Sequence, residues 1–328
     1  MAAPLSAAPD AAASGGIRVA AALGVTVFLW GSVFPAIRLA MEAFDPAQMA
    51  VARYATTSLV LVAAAFVWRP RLPRGATDVA LLVALGFFGV FGYALALNIG
   101  ELTLSASAAS LVYNATPVFT AILALAFLGE RMGRRGWAGI GLACVGVTVI
   151  ATNASEGVRF TAGAWFVLLA TFFQAIAFVL TKRLLARGWG PFELTAYSIW
   201  IGTLLLLPFG HEGASLMLSG TVPLPSLLAV LYLATLPGLA AYVLWSWALR
   251  SVPAGRAAGL LYLLPVVATA LEVLYWGILP GYGVLLGGMV TIAGAALTNA
   301  ARLGPERAPR EPAPPPSLAA AAAQPWRS

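Results

Sequence analysis

The sequence predicts an all-α integral membrane protein whose ten transmembrane helices form two inverted five-helix repeats, and three observations carry that expectation. Of the 328 residues, 61% are hydrophobic and only 9% charged, against roughly a quarter charged in a soluble domain. The apolar residues gather into ten runs, each near the ~20 residues that a helix needs to cross ~30 Å of hydrocarbon. The chain also matches itself when it is slid by about 149 residues.

Taken in order, the first span covers 18–41 and closes before a turn holding Glu42 and Asp45. The second, 46–68, opens on Pro46, a residue suited to a first helical turn, and ends at the basic cluster Arg69, Arg71 and Arg74. The third, 78–99, contains "GFFGVFG", which superficially resembles a phosphate loop. Inside a long apolar helix, Gly86, Gly89 and Gly92 form instead a small-residue ridge for close packing. The fourth span, 104–128, leads into "LGERMGRR", and the fifth covers 136–153. The sixth runs over 161–182; the short seventh, 192–210, ends around Pro208; the eighth covers 225–249 and the ninth 256–277. The tenth, 282–302, carries Gly283 and Gly287 four residues apart, a face for pairing within the bundle or with a second copy. A flexible tail is expected over 1–16, which lacks the basic start of a cleaved signal peptide. A Pro/Ala-rich disordered tail is expected over 304–328. The repeats then occupy 17–153 and 160–303.

The net charge of +7 does not point to nucleic acid, because the basic residues lie in short clusters between apolar runs and not on one solvated face. They fit the rule that basic loops stay cytoplasmic. With both termini inside, all 19 Lys and Arg except Arg38, Arg53 and Arg159 fall on the cytoplasmic side. The opposite loops carry Glu42, Asp45, Glu101, Glu156 and Glu212. Arg-dominated, Ala-rich composition fits a GC-rich genome and so a bacterial inner membrane. A single cysteine, Cys144, leaves neither an intrachain disulfide nor a Cys-rich metal site.

The self-match pairs Gly89 with Gly238, Tyr93 with Tyr242 and Tyr113 with Tyr262; after a one-residue slip it pairs Pro117 with Pro265 and Gly129 with Gly277. Near the start, at offsets of 144 to 145, Phe34 meets Phe178, Arg38 meets Lys182 and Pro46 meets Pro191. Five spans is an odd number, so the second copy enters the membrane from the other side. Inverted halves that exchange conformations around a central site are the usual build of a secondary transporter.

"WGSVFPAIRLAMEAFDPAQMAVARY" (30–54) and "SASAASLVYNATPVFTAILALAFLGERMGRRGWAGIGLACVGVTVI" (105–150) resemble the first EamA-type repeat of the drug/metabolite transporter superfamily. The matching features are Trp-Gly followed by Ala-Ile-Arg, an Arg early in the second span, a Pro in the middle of the fourth and Leu-Gly-Glu at its end. "YLLPVVATALEVLYWG" with "GYGVLLGGMVTIAGAAL" resembles the second copy. The resemblance implies a ten-helix bundle around a central cavity lined mainly by spans 1, 3, 4, 6, 8 and 9, and export of small metabolites or drugs. One departure is that Gly277 is followed by Ile278, so Glu130 has no counterpart in the second half.

Enzyme chemistry finds few groups to use. The only histidine is His211, in a loop; Asp10, Asp45 and Asp78 lie outside the spans; there is no H-E-x-x-H and no Walker sequence. No catalysis, cofactor or metal is expected. Pro117 and Pro265 each remove a backbone donor in mid-membrane and free a carbonyl one turn earlier, at Tyr113 and Leu261. Such kinks suit helices that border a wet cavity and flex, or are simply packed. Asn98, Tyr113, Asn114, Gln174 and Tyr262 offer hydrogen-bonding groups at membrane depth, and Trp30 and Trp245 offer flat apolar surface, so they are the candidate cavity lining for an amphipathic solute. Arg38 and Arg53 can snorkel to the surface, and Arg53 has further to reach. Glu272 falls clearly within a span, where insertion costs roughly 2.5–3.5 kcal/mol. It is either an ion-pair partner for Arg38 or Arg53, or a proton-coupling or cation-recognising group beside Pro265.

The sequence thus predicts a monomeric or weakly dimeric exporter of amino acids, related amphipathic solutes or drugs, with proton antiport through Glu272 as one way of driving it. A non-transporting membrane sensor or scaffold is the alternative; its large cytoplasmic surface is not matched by loops this short.

Overall fold

A computed structural model describes residues 9–104, 106–129, 133–153, 162–277 and 282–300, and these form helices joined by turns, with no strand among them. The principal helices, in chain order, are α1 (Gly16–Ala40), α2 (Pro46–Trp68), α3 (Ala76–Glu101) and α4 (Ala109–Leu128), then α5 (Arg134–Asn153). The second half holds α6 (Ala162–Ala186), α7 (Pro191–Gly210), α8 (Leu224–Ala248) and α9 (Ala257–Trp276), then α10 (Tyr282–Ala300). Eight of them, all but α5 and α10, are long and apolar enough over the described residues to cross a membrane. Helix continues upstream of α1 to Pro9. Residues 9–16, expected as tail, are therefore helical, in line with the high helix propensity of their alanines. Glu130, Arg159 and the expected tail 304–328 lie outside the described residues.

Local chemistry sets the helix ends. Asp45 caps α2, its Oδ1 accepting from the backbone N–H of Ala47 (2.9 Å) and Gln48 (2.8 Å), while Gln48 Oε1 accepts from Asp45 N–H. α4 and α9 both stop at a glycine in the left-handed region, Gly129 (φ 67°) and Gly277 (φ 68°), where a side chain would be strained. Each lies twelve residues after its proline, as the repeat requires. The prolines do not bend a continuous helix. They begin the second of two pieces: Ala106–Tyr113 then Thr116–Leu128, and Ala254–Gly259 then a 3₁₀ turn and Leu264–Trp276. In that first turn a missing N–H costs little.

α3 and α8 each contain a π-helical turn, at Phe87–Gly92 and Leu236–Ala240. These are the same place in the two repeats, a register that brings Gly89 onto Gly238. The glycine ridge of α3 does pack helices closely. A Cβ on Gly86 would lie 2.7 Å from Ile201 Cβ on α7, one on Gly89 3.1 Å from Ala177 Cβ on α6, and one on Gly92 2.8 Å from the Phe173 ring on α6. α3 therefore sits against both α6 and α7. α5 and α10 lie against each other along their length, and a Cβ on Gly294 would come 2.7 Å from Gly139 O.

The bundle has two distinguishable ends. At one, Asn98 Nδ2 of α3 donates to Pro46 O of α2 at 2.9 Å, beside the end of α1 that bears Arg38. At the other, Arg187 pairs with Asp78 at 2.7 Å and Tyr197 OH donates to Arg71 O at 2.8 Å, beside the end of α6 that bears Lys182. Arg38 and Lys182, equivalent in the repeat, thus stand at opposite ends.

Gly86→Ala should lower thermal stability in detergent, by about 1–3 kcal/mol for an overpacked contact. Gly24→Ala, into open space, should leave it unchanged or slightly raised. Equal losses at both positions would remove the ridge from the account of packing.

Candidate functional site

Breaks in the helices expose backbone groups, and aromatic and hydroxyl side chains take them. At and just before the π-turn of α8, Thr57 Oγ1 donates to Ala234 O at 2.8 Å and Trp30 Nε1 to Pro237 O at 3.2 Å. The break in α4 frees Tyr113 O, which accepts from Thr116 Oγ1 at 2.6 Å. Leu261 O accepts from the backbone N–H of Leu264. The carbonyls expected to be open beside Pro117 and Pro265 are therefore engaged locally.

Trp30, pinned by its indole, is the hub of an aromatic stack: Phe178 at 5.7 Å, Tyr242 at 5.3 Å and Trp245 at 5.0 Å between ring centroids. Two cavities flank this stack. One, with room for about a single water (≈ 10 Å³), lies toward the Arg38 end and is lined by Trp30, Val33, Phe34, Arg53, Tyr93, Tyr113, Gln174, Tyr242 and Leu264. The other, of ≈ 20 Å³, reaches toward the Lys182 end past Thr181, Leu194 and Thr195, and includes Gln174, Phe178, Ser198, Tyr242 and Trp245. Both are narrow, and they share Gln174 and Tyr242.

Four lining positions of the first cavity have their repeat counterparts in the lining of the second. Trp30, Phe34, Arg53 and Tyr93 in the first correspond, at offsets of 144, 144, 145 and 149, to Gln174, Phe178, Ser198 and Tyr242 in the second. One position differs in charge: Arg53 in the first cavity, Ser198 in the second.

Four charged groups gather at the Arg38 end. Arg38 Nη1 lies 3.2 Å from Glu272 Oε1 and its guanidinium is 5.1 Å from the Trp276 ring. The Glu272 side chain is 8% exposed and that of Arg38 45%, so Arg38 snorkels and pairs at once. Arg53 does not snorkel. It is 3% exposed, sits 4.9 Å from the Tyr54 ring, and its Nε has no hydrogen-bond partner. Glu101, read from sequence as a loop acid, is the last residue of α3, and both carboxylate oxygens are buried without a hydrogen bond. Its electrostatic neighbours are Glu272, Arg53 and Arg38. At the opposite end Lys182 Nζ donates to Leu249 O at 2.6 Å and Val252 O at 2.7 Å, tying α6 to the end of α8.

Of the candidates from sequence, Trp30, Tyr113, Gln174 and Arg53 meet in the first cavity and Trp245 lines the second. Asn98 is used between α3 and α2; Asn114 is buried, lines neither cavity, and has no partner for its amide; Tyr262 packs on Ala143. Pro117 and Pro265 are buried behind the lining. Sequence reasoning missed Phe34, Tyr93, Phe178 and Tyr242 as lining. All four are aromatic at matched positions of the repeat, and that pairing was the signal available.

The model of the EamA-like transporter family matches residues 18–152 and again 161–300. A protein of Streptantibioticus cattleyicolor named "Probable terminal-alkyne amino-acid exporter" is 36% identical over 288 residues, 87% of this chain and 95% of its own. An "Uncharacterized transporter" of Bacillus subtilis is 33% identical over 86% of this chain and 91% of its own. A "Probable amino-acid metabolite efflux pump" of Escherichia coli is 29% identical over 75% and 83%. A crystal structure 19% identical in sequence, with TM-score 0.67 over 86% of this chain and 96% of its own, shares the fold.

Replacing Arg38 and Glu272 by glutamine, singly and together, should give non-additive losses of stability in detergent. The half-exposed arginine sets the coupling at about 0.5–1 kcal/mol. Strictly additive losses would show that the pair is not held in the folded protein.

Proposed function

The chain belongs to the EamA-like transporter family, and from that premise we propose that it exports small amphipathic solutes, amino acids and their close relatives foremost, by alternating access between inverted halves in a bacterial inner membrane. The observation that carries this reading is the pair of repeat-related cavities, one toward each end of the bundle, joined through Gln174 and Tyr242. A solute passing from one to the other would meet aromatic rings in both, and an exchange of conformation between halves would open one as it closes the other. The names of the relatives in Streptantibioticus cattleyicolor and Escherichia coli support an amino-acid-like cargo.

In this reading all ten helices span the bilayer, both termini are cytoplasmic, and the Arg38 end faces outward. The orientation rests on the distribution of basic residues. Arg38 with Glu272 closes the outer end; Lys182 on the two carbonyls closes the inner. Proton coupling belongs to the outer acids. Protonating Glu272 weakens its hold on Arg38, and Glu101 stands near enough to share the change. The transporter works as a monomer or weak homodimer.

Proteoliposomes of the purified chain should exchange external labelled amino acid for internal unlabelled amino acid, and overexpressing cells should resist inhibitory amino-acid analogues. No exchange with any amino acid, nucleobase or cation, together with unchanged resistance, would turn the reading to a non-transporting membrane protein. The exchange should also depend on pH, and Glu272→Gln should remove most of that dependence. A wild-type profile in Glu272→Gln takes coupling away from Glu272, and the same measurement on Glu101→Gln gives the role to Glu101 or to neither.

A further inference from the structure

The cavity at the Arg38 end encloses a cation and a neutral acceptor that the protein leaves unmatched. Arg53 is 3% exposed, and no carboxylate lies within 4.0 Å of it among the described residues. A guanidinium cannot shed its charge by losing a proton, and burying an ion without a counter-charge costs several kcal/mol. The face of Tyr54 offsets part of that cost, and Glu101 acts on it only at longer range. Across the cavity Gln174, 2% exposed, holds its Oε1 without a hydrogen bond. The rings of Trp30, Phe34, Tyr93, Tyr113 and Tyr242 line the same cavity.

We propose that Arg53 anchors the carboxylate of the transported solute, that the solute's ammonium donates to Gln174 Oε1, and that its side chain lies on the aromatic wall. The site would thus select the zwitterionic head of an α-amino acid with an apolar side chain. The planar fork of the guanidinium fits a carboxylate or a phosphate, but with a single arginine and Glu101 in its field the surroundings favour a monoanion. A simple organic cation would meet Arg53 with no contacting acid to balance it. In this conformation the cavity has room for about one water (≈ 10 Å³), so the solute would enter it only as the two halves move apart. The anchor exists on one side only, since the repeat places Ser198 where Arg53 stands in the other half. The solute would therefore be gripped by charge at the Arg38 end and held by neutral groups at the Lys182 end.

This assignment rests on the transporter reading, and the test separates the two. Neutral L-amino acids are assayed for counterflow in proteoliposomes with the full chain, and the best exchanger is compared with its methyl ester and its decarboxylated amine. The wild type should exchange the amino acid and neither analogue. Arg53→Lys should weaken apparent affinity and Arg53→Met should weaken it further, by about 10- to 100-fold for a lost charge-assisted contact. Gly24→Ala, at an exposed position that lines neither cavity, should change it less than threefold. Wild-type exchange of the amine or ester as fast as the amino acid would overturn the anchor and leave transport standing. Unaltered affinity in a folded Arg53→Met would do the same. If no neutral amino acid exchanges in the wild type, the amino-acid reading fails and the anchor fails with it.

Discussion

Inside hydrocarbon no water is available to a backbone N–H or C=O, and each group left open costs several kcal/mol. The architecture depends on this constraint. A helix can be interrupted in mid-membrane only where something else takes the freed groups, and here the interruptions cluster around the cavities. The π-turn of α8 is accepted because Thr57 and Trp30 donate to Ala234 O and Pro237 O. The break in α4 is accepted because Thr116 donates to Tyr113 O. Where α1 divides into Pro9–Gly31 and Val33–Ala40, Ser32 donates to Leu29 O at 2.7 Å and shares a hydrogen bond with the Tyr232 hydroxyl of α8. In serving the backbone, Trp30 is also set at the centre of the aromatic stack that separates the cavities. Backbone chemistry and site geometry are one arrangement.

Much of this was legible in the sequence. Apolar runs mark helices because crossing the bilayer demands both length and hydrophobicity, and the Gly86, Gly89, Gly92 ridge can be read because spacing alone puts small residues on one face. The repeat could be read from the order of Tyr, Pro and Gly, which are tied to fixed backbone geometry. The likeness to the family was likewise visible in "WGSVFPAIRLA" and "YLLPVVATALEVLYWG".

What was hidden depends on tertiary placement. Glu101 follows an apolar span by two residues and reads as a loop acid. Two further residues of helix in α3 take it in, and the backward tilt of helical side chains draws its carboxylate back toward the bundle, where both oxygens are buried. Arg53 was marked as a residue in need of a partner; the sequence does not say that its surroundings are rings and an amide. Asn98 and Tyr262 were chosen because they are polar at membrane depth, yet polarity alone does not separate a residue that ties helices together from one that faces a cavity. The π-turns had no sequence signature beyond Gly89 and Gly238, because an extra residue in a helical turn leaves the apolar pattern almost unchanged.

The two ends of the bundle are held by different kinds of acceptor. Arg38 grips a carboxylate, a group that acid can neutralise and salt can screen. Lys182 grips two peptide carbonyls, which carry no proton to gain at any physiological acidity. The duplicated frame therefore carries at one end of the bundle a contact whose acceptor acid can neutralise, and at the other a contact to carbonyls that it cannot.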